Sequence, residues 1–329
     1  MQLSIVVPVY MSSECLPELA RRVRQNVGSR FDSYELVLVN DGSPDESWKV
    51  ILRLTQEYDS IVGVNLRKNV GQDNAIMAGL NVARGEVIVV MDDDLQHDPS
   101  DISMLHDRIH NGFDVVYAYF EHKQQALWKN LGSWFADWFA NITIGKPRDI
   151  YMSPYKAIHR KVVDEIVKYN GPYPYVDGLI FAVTSNITQV PVVHHSRFAG
   201  KGNYNLPRSV AVFLKLATSF SVIPLRVTTF LGGVISVFAL MLALYFLIET
   251  LVLKHEQPSG WPSLIVSILL IGGIQLIGIG AAGEYIGRIF VTQNQRPQFT
   301  VKEIERSIDL QAVPDDHDAQ DVTAAPHRI

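Results

Sequence analysis

The stretch from Val87 to Gln96 constrains the fold of this chain more than any other. Its first four residues, Val-Ile-Val-Val, form an apolar β-branched run, which is typical of a strand buried on both faces of a parallel sheet. After Met91 come three aspartates in a row, Asp92, Asp93 and Asp94. Adjacent carboxylates at the end of a buried strand repel one another unless a cation or a set of hydrogen-bond donors faces them.

A divalent cation is the simplest partner for this acidic trio. Mg²⁺ and Mn²⁺ prefer oxygen ligands, and they commonly use one or two carboxylates together with the phosphates of a substrate. Asp92 and Asp94 lie on the same side of an extended segment, so the pattern predicts that these two hold a metal-bound diphosphate. A solvated acidic turn after a strand is the alternative interpretation.

The segments around this stretch predict a doubly wound α/β domain, because strands and helices alternate with short links. Strands are predicted at Leu3–Val9, Tyr34–Val39, Val62–Leu66 and from Val87, and helices at Leu16–Val27, Asp45–Tyr58 and Asn74–Ala83. Ser43 or Asp45 is expected to cap the second helix.

Polar clusters follow every predicted strand of this domain. In such a fold ligands bind at the carboxyl ends of the strands, so the clusters are expected to share one binding site. Each cluster by itself also fits an ordinary turn or helix cap. The clusters are Tyr10, Asp41, Asn69 to Gln72, and Asp92 to Gln96.

Two apolar stretches of 19 residues, Phe230–Ile248 and Leu264–Ala282, predict a membrane hairpin. Each is long enough as a helix to cross a hydrocarbon core of ~30 Å. Basic residues flank the outer ends of the two stretches, whereas the link between them holds one Lys. The α/β domain and both termini are therefore expected in the cytoplasm, in an integral protein of the inner or plasma membrane. The glycines of the second stretch predict close helix approach and hence a homo-oligomer. A buried hairpin in a soluble domain is the alternative.

Composition and length set the remaining bounds. The 329 residues carry a formal charge of -5 without a strongly basic domain, which argues against a nucleic-acid partner. The lone Cys15 fits a reducing compartment, and the N-terminus is expected to be a strand and not a signal peptide. The predicted division is 1–205 α/β domain, 206–226 amphipathic juxtamembrane helices, 227–290 transmembrane hairpin, and 291–329 cytoplasmic tail, disordered from about 307.

Several short motifs carry a resemblance to a known family. They are Asn69-Val70-Gly71-Gln72, Ala75-Ile76-Met77-Ala78-Gly79, Asp94-Leu95-Gln96, Gly283-Glu284-Tyr285-Ile286-Gly287-Arg288 and Arg296-Pro297. With these motifs the chain resembles the family 2 glycosyltransferases of the GT-A fold, a Rossmann-like α/β fold. It is most similar to those that use polyprenyl phosphate, above all the undecaprenyl-phosphate aminoarabinose transferase type. The resemblance covers Leu3 to about Val162 and continues into the predicted hairpin.

The resemblance implies an inverting transfer of a sugar from a nucleotide sugar, UDP-linked, to a polyprenyl phosphate, here undecaprenyl phosphate. A lipid-linked monosaccharide at the cytoplasmic membrane face would be the product, and Mg²⁺ or Mn²⁺ the cofactor. By the family pattern the metal ligands would be Asp92, Asp94 and Gln96. The nucleotide-sugar site would comprise Pro8, Val9, Tyr10, Glu14, Asp41, Asn69, Gly71, Gln72, Asp92 and Asp93, of which Pro8, Tyr10 and Asp41 would hold the base and ribose.

The basic positions depart from the family pattern. Tyr119 stands where relatives usually carry an Arg, and Asn203 replaces a Lys, with Lys201 two residues earlier. Because Arg and Lys bind phosphate differently, these changes leave the acceptor contacts open, and solvated lysines are the alternative. The predicted catalytic residues are Asp92, Asp94, Lys129, Lys156 and Arg197, and the candidates for binding the acceptor phosphate are Lys123, Lys129, Arg197 and Lys201.

Other functions and two local features remain to be considered as alternatives. The chain lacks a Gln-x-x-Arg-Trp sequence, which disfavours a processive polysaccharide synthase. A transferase to another lipid, or an inactive nucleotide-sugar sensor or scaffold, are the alternatives to the predicted enzyme. His194 and His195 are expected to be ordinary strand residues, because neighbours on a strand point oppositely. The aromatic residues between Trp128 and Phe139 fit either core packing or an interfacial helix.

Overall fold

A computed structural model describes residues 1–120, 150–192, 225, 228–235, 237–238, 241, 261–294 and 297–306. The strands of these residues form one mixed sheet with helices on both faces. The strands are β1 Leu3–Val9, β2 Tyr34–Asn40, β3 Ile61–Leu66, β4 Val87–Val90, β5 Val115–Phe120, β6 Lys156–His159, β7 Ile187–Val192 and β8 Val301–Arg306. The helices are α1 Leu16–Asn26, α2 Ser47–Glu57, α3 Gln72–Val82, α4 Ile102–His110, α5 Arg160–Ile166, α6 Val176–Val183 and α7 Trp261–Gln293.

The order of the strands across the sheet is β7-β5-β6-β4-β1-β2-β3-β8. β4, β1, β2 and β3 run parallel, so their carboxyl ends meet at one edge, as the sequence predicts. β6 is antiparallel to both β4 and β5, and β8 is antiparallel to β3 at the other side of the sheet. The predicted α/β class is therefore confirmed.

The central strand β1 explains how the core is divided. Its seven residues are all buried, and alternate side chains enter opposite faces of the sheet. Leu3, Ile5 and Val7 pack toward α1, α2 and α4, whereas Val6 packs toward α3, α5 and α6. Full burial of a Val or Leu side chain contributes roughly 1.5–3 kcal/mol, so this pattern stabilises both layers at once.

Two helix starts differ from the predictions by two residues. α2 begins at Ser47, because the Asp45 carboxylate accepts a hydrogen bond from the Ser47 backbone N–H at 3.2 Å and so lies just before the helix. α3 begins at Gln72, because Gly71, with φ 90°, turns the chain directly into the helix.

β8 was not predicted from the sequence. Val301–Arg306 falls in the predicted C-terminal tail, but in the structure this segment pairs with β3 over residues 62–66. The pairing joins parts of the chain that lie more than two hundred positions apart, since the contact between Asn65 and Glu303 spans 238 residues. A local pattern cannot reveal such a partner.

The predicted membrane hairpin is not established by the fold. The second predicted span, Leu264–Ala282, lies within α7, whereas most of the first span falls outside the described residues. Across the part of the chain that the structure describes, no helix combines the length and apolarity needed to cross a bilayer. The predicted juxtamembrane helices, the His194-His195 pair and the aromatic segment from Trp128 to Phe139 lie outside the described residues.

The buried carboxylate of Glu35 connects β1 and β2 through hydrogen bonds. Glu35 on β2 is 1% exposed, and its Oε1 accepts hydrogen bonds from the Ser4 hydroxyl at 2.5 Å and from the Arg84 backbone N–H at 2.6 Å. The Ser4 hydroxyl accepts in turn from the Gly85 N–H at 2.7 Å. The link that leads into β4 is therefore attached to both β1 and β2.

Replacing Glu35 by Leu is expected to lower the melting temperature strongly, because two buried donors lose their acceptor at about 1–3 kcal/mol each. Glu35→Gln keeps one acceptor oxygen and should lie between wild type and Glu35→Leu. The measurement is thermal unfolding of the purified chain, with the exposed Glu57→Leu as the control. Equal melting temperatures for Glu35→Leu and Glu57→Leu would contradict this role.

Candidate active site at the carboxyl edge of the sheet

A cavity of about 810 Å³ opens where β1, β2, β3 and β4 end. Its size suits a small-molecule ligand, since such pockets commonly measure ~300–1,000 Å³. The lining residues come from the end of β1, from the loops after these four strands and from the first residue of α3. They are Pro8, Val9, Tyr10, Met11, Ser12, Ser13, Glu14, Cys15, Asp41, Asp45, Asn69, Gly71, Gln72, Asp92, Asp93 and Asp94.

The predicted nucleotide-sugar residues thus meet in one place. Pro8, Val9, Tyr10, Glu14, Asp41, Asn69, Gly71, Gln72, Asp92 and Asp93 all line the cavity. Their proximity follows from the parallel strands, while their contacts with a ligand stay a prediction. Met11, Ser12, Ser13, Cys15 and Asp45 line the cavity as well but carry no motif that singles them out in the sequence.

The loop after β1 is held by hydrogen-bond acceptors from two other loops. The Tyr10 N–H donates to Asp93 Oδ2 at 3.2 Å, and the Met11 N–H donates to Ser43 Oγ at 3.2 Å. Met11 itself lies in the left-handed region with φ 57°, an unusual backbone conformation for this residue type. Met11 is 62% exposed, so its side chain is available at the mouth of the cavity.

Asp41 supports the loop on the opposite side of the cavity. It is 3% exposed, and its two carboxylate oxygens accept from the Val70 N–H at 2.7 Å and the Gly71 N–H at 2.9 Å. Burial raises the pKa of Asp41, and the two backbone hydrogen bonds oppose that rise. Asp41 therefore shapes the Asn69–Gly71 loop, in addition to any contact it makes with a ligand.

Each carboxylate of the acidic trio has a different partner. Asp92 Oδ1 accepts from the Gln72 side chain at 2.8 Å, Asp93 accepts from Tyr10, and Asp94 Oδ1 accepts from the Gln96 N–H at 3.1 Å. Between Asp94 and Gln96, the buried Leu95 adopts φ 60°, which turns the chain sharply after the trio. Backbone conformations of this kind concentrate at functional sites.

The trio lies in an environment that disfavours its negative charge. Burial, followed by the repulsion of Asp94 and Asp93, raises the pKa of Asp92 to about 7. Burial also raises the pKa of Asp93 to about 6. A cation brought to this edge of the sheet would offset these costs.

The donor set fits a Mg²⁺ or Mn²⁺ ion that takes part of its coordination from a substrate. Asp92 and Asp94 both line the cavity and present carboxylate oxygens, the ligand type that these ions prefer. Within the described ranges no three His, Cys, Asp or Glu side chains converge as a complete metal site. Gln96, the third predicted ligand, is partly buried and does not line the cavity.

Lys156 on β6 is in register with Val90, two residues before the acidic trio, and belongs to a buried network. It is 3% exposed, its ammonium forms an ion pair with Asp177 on α6, and it lies 5.3 Å from the centre of the Tyr117 ring. The Tyr117 hydroxyl donates to the same Asp177 oxygen at 2.8 Å. The positive charge of Lys156 also lowers the pKa of Asp92, against the larger effect of burial.

The catalytic role of Lys156 stays a prediction. The structure adds two residues of its network, Tyr117 and Asp177, that the sequence does not single out. Tyr117 and Asp177 are 60 positions apart, and neither belongs to a motif. The remaining predicted basic residues lie outside the described residues, so their arrangement also stays a prediction. They are Lys123, Lys129, Arg197 and Lys201.

Comparison with known proteins adds independent information on this chain. The family model described as Glycosyl transferase family 2 matches residues 4–167. The chain is 31% identical over 305 residues to the undecaprenyl-phosphate 4-deoxy-4-formamido-L-arabinose transferase of Salmonella choleraesuis, covering 92% of this chain and 93% of the relative. The protein of the same name from Salmonella paratyphi B matches to the same extent, 31% over 305 residues with 92% and 93% coverage.

Solved structures resemble the fold more distantly. Glucosyl-3-phosphoglycerate synthase from Mycobacterium tuberculosis, solved in complex with Mn²⁺, uridine diphosphate and phosphoglyceric acid, superposes with a TM-score of 0.50 at 15% identity. The match covers 66% of this chain and 76% of that one. At this identity the likeness shows a shared GT-A-like fold.

The Lys156 and Asp177 pair allows a direct test of whether Lys156 acts in catalysis. Lys156→Met alone leaves a buried carboxylate without its cation and should cost about 3–5 kcal/mol of stability. The double variant Lys156→Met with Asp177→Leu replaces both charges by apolar side chains and should recover much of that loss.

Melting temperature and turnover of these two variants separate the roles of Lys156. If Lys156 acts in catalysis, the double variant regains stability but turns over substrate far more slowly than wild type. A double variant with wild-type turnover would contradict a catalytic role and leave the pair as a structural element.

Proposed function

The chain belongs to glycosyl transferase family 2, and on that premise we propose that it transfers a sugar from a UDP-sugar to undecaprenyl phosphate. The observation that carries this proposal is the position of Asp92 and Asp94, which follow the buried strand β4 and face a cavity of about 810 Å³. The name of the Salmonella relatives supports the choice of acceptor.

The donor is proposed to lie between the loop after β1 and the Asn69–Gly71 loop. Asp41 keeps the Asn69–Gly71 loop in place through its hydrogen bonds to Val70 and Gly71. Backbone N–H groups at the start of α3 would face the diphosphate of the donor. Asp92 and Asp94 would hold Mg²⁺ or Mn²⁺, which when bound offsets the charge that develops on the leaving diphosphate.

The acceptor phosphate is proposed as the nucleophile of a single displacement. An oxygen of the phosphate monoester forms a bond to the anomeric carbon, while the bond from that carbon to the UDP oxygen breaks and its electron pair leaves with UDP. The phosphate is already negatively charged at neutral pH, so the protein has to position the reactants more than to remove a proton. In-line attack inverts the anomeric configuration, and Lys123, Lys129, Arg197 and Lys201 remain the candidates for holding the phosphate.

A membrane location forms part of the same proposal, with residues 227–290 in the bilayer and the catalytic domain and both termini at the cytoplasmic face. It is supported by large apolar side chains that are exposed along α7, among them Leu276 at 70% and Ile279 at 68%. Exposed apolar surface of this extent usually contacts lipid or another protein. A lipid acceptor and a homo-oligomer are both compatible with such a surface.

Transfer can be tested with the purified full chain, undecaprenyl phosphate and a panel of radiolabelled nucleotide sugars. We expect lipid-soluble label from one UDP-sugar in the presence of Mn²⁺ or Mg²⁺, loss of transfer with EDTA, and recovery when the metal is restored. Transfer only to a different lipid would replace the acceptor. Binding of a nucleotide sugar without transfer to any lipid would favour the sensor or scaffold function instead.

Asp94→Asn is expected to reduce transfer by at least about a hundredfold, because the amide keeps the size of the side chain but loses the negative charge that holds the metal. The exposed Asp32→Asn serves as the matched control and should transfer at the wild-type rate. The measurement is the initial rate at saturating metal. Wild-type activity of Asp94→Asn would exclude Asp94 from the metal site.

A further inference from the structure

A row of polar side chains crosses the sheet just below the cavity. Asn40 on β2 is in register with Asn65 on β3, which is in register with Glu303 on β8. The Asn65 side-chain N–H donates to Glu303 Oε1 at 2.8 Å, and the Asn40 side-chain N–H donates to Asn65 Oδ1 at 2.8 Å. Asn40 is 3% and Asn65 5% exposed, and buried amides of this kind are normally hydrogen-bonded, whereas the Glu303 side chain at the edge of the sheet is 37% exposed.

The row continues to Met11, which lines the cavity. Asn40 Oδ1 accepts from the Ser43 N–H at 3.4 Å, and Ser43 Oγ accepts from the Met11 N–H at 3.2 Å. The Ser43 hydroxyl also donates to the Val9 carbonyl at 3.4 Å. A continuous path of hydrogen bonds therefore leads from Glu303 to the unusual backbone turn at Met11.

Glu303 and the Ser43 N–H constrain the orientation of the two asparagine amides from opposite ends of this row. An ionised carboxylate only accepts, so the adjoining Asn65 has to present its NH₂ group to β8 and its oxygen to Asn40. Asn40 then has to present its own NH₂ group to Asn65 and its oxygen to Ser43. If the group on β8 were a donor, both amides would be driven to turn over, and Asn40 would direct an N–H group at the Ser43 N–H.

We propose that Glu303 is a positioning residue for the nucleotide site: through Asn65 and Asn40 it orients the Ser43 turn, and Ser43 in turn supports the Met11 backbone, which lines the cavity. This proposal rests on the proposed function, because it assumes that the cavity binds a uridine nucleotide and that the affinity for this nucleotide depends on Glu303. A segment that follows the apolar helix α7 in the chain would thereby influence donor binding at the loops after β1 and β2.

The test reverses the polarity at position 303. Glu303→Lys places a donor where an acceptor stood, whereas Glu303→Gln can still accept from Asn65. Glu305→Lys makes the same charge change on an exposed neighbour of the same strand and is the matched control. The ammonium of Lys302 lies 3.7 Å from Glu303 Oε1, so Lys302→Met removes the ion-pair partner of Glu303.

Two readouts are compared in the full-length protein. Hydrogen exchange monitored by mass spectrometry follows the segments around Met11 and Ser43, and calorimetry with UDP and Mn²⁺ measures nucleotide affinity. In Glu303→Lys we expect faster exchange confined to these two segments and an affinity about tenfold weaker, the effect of roughly one lost hydrogen bond. Glu303→Gln, Glu305→Lys and Lys302→Met should stay within about threefold of wild type.

The outcomes separate this proposal from the proposed function. If wild-type protein does not bind UDP, the proposed donor is wrong, and exchange at Met11 and Ser43 still decides whether Glu303 positions the turn. Wild-type exchange of both segments in Glu303→Lys overturns the proposal at any UDP affinity. Faster exchange throughout the sheet together with a lower melting temperature also overturns it, because Glu303 would then be a general structural residue.

Discussion

The repulsion among three adjacent carboxylates at the end of a buried strand is the constraint on which the rest of this structure depends. Each carboxylate is stabilised by a donor from a different place: Gln72 for Asp92, the Tyr10 N–H for Asp93, and the Gln96 N–H for Asp94. The loops after β1 and β3 are therefore attached to the trio that they surround. The pKa values of Asp92 and Asp93 remain raised, because this edge of the sheet still disfavours the negative charge of the trio.

A second set of contacts keeps the same loops apart so that a cavity remains between them. Asp41 uses both carboxylate oxygens on the Asn69–Gly71 loop, and Ser43 supports the backbone at Met11. Beneath the trio, the ion pair of Lys156 with Asp177 brings a buried positive charge close to Asp92. Such preorganised charges cost stability to assemble and can stabilise charge that develops during a reaction.

Much of the catalytic half could be predicted from the sequence because its signals are local. The strands from Leu3, Tyr34, Val62 and Val87 were recognised from apolar runs, and the parallel arrangement placed their polar ends together in one cavity. The family predicted from short motifs is confirmed by the match to residues 4–167 and by the Salmonella relatives. The starts of α2 and α3 were each wrong by two residues, since Asp45 and Gly71 act on the backbone in ways that apolar spacing does not record.

The sequence by itself determined the α/β class, the acidic trio and the loops that face it, because an apolar strand and the turn that follows it are adjacent in the chain. Only the tertiary structure decided that Val301–Arg306 completes the sheet, that Asp177 neutralises Lys156, and that Glu303 reaches the cavity through Asn65 and Asn40. These contacts join residues far apart in the chain. Each contact depends on which strands and helices pack next to each other. Composition and apolar periodicity describe single elements and do not specify which two distant side chains will meet.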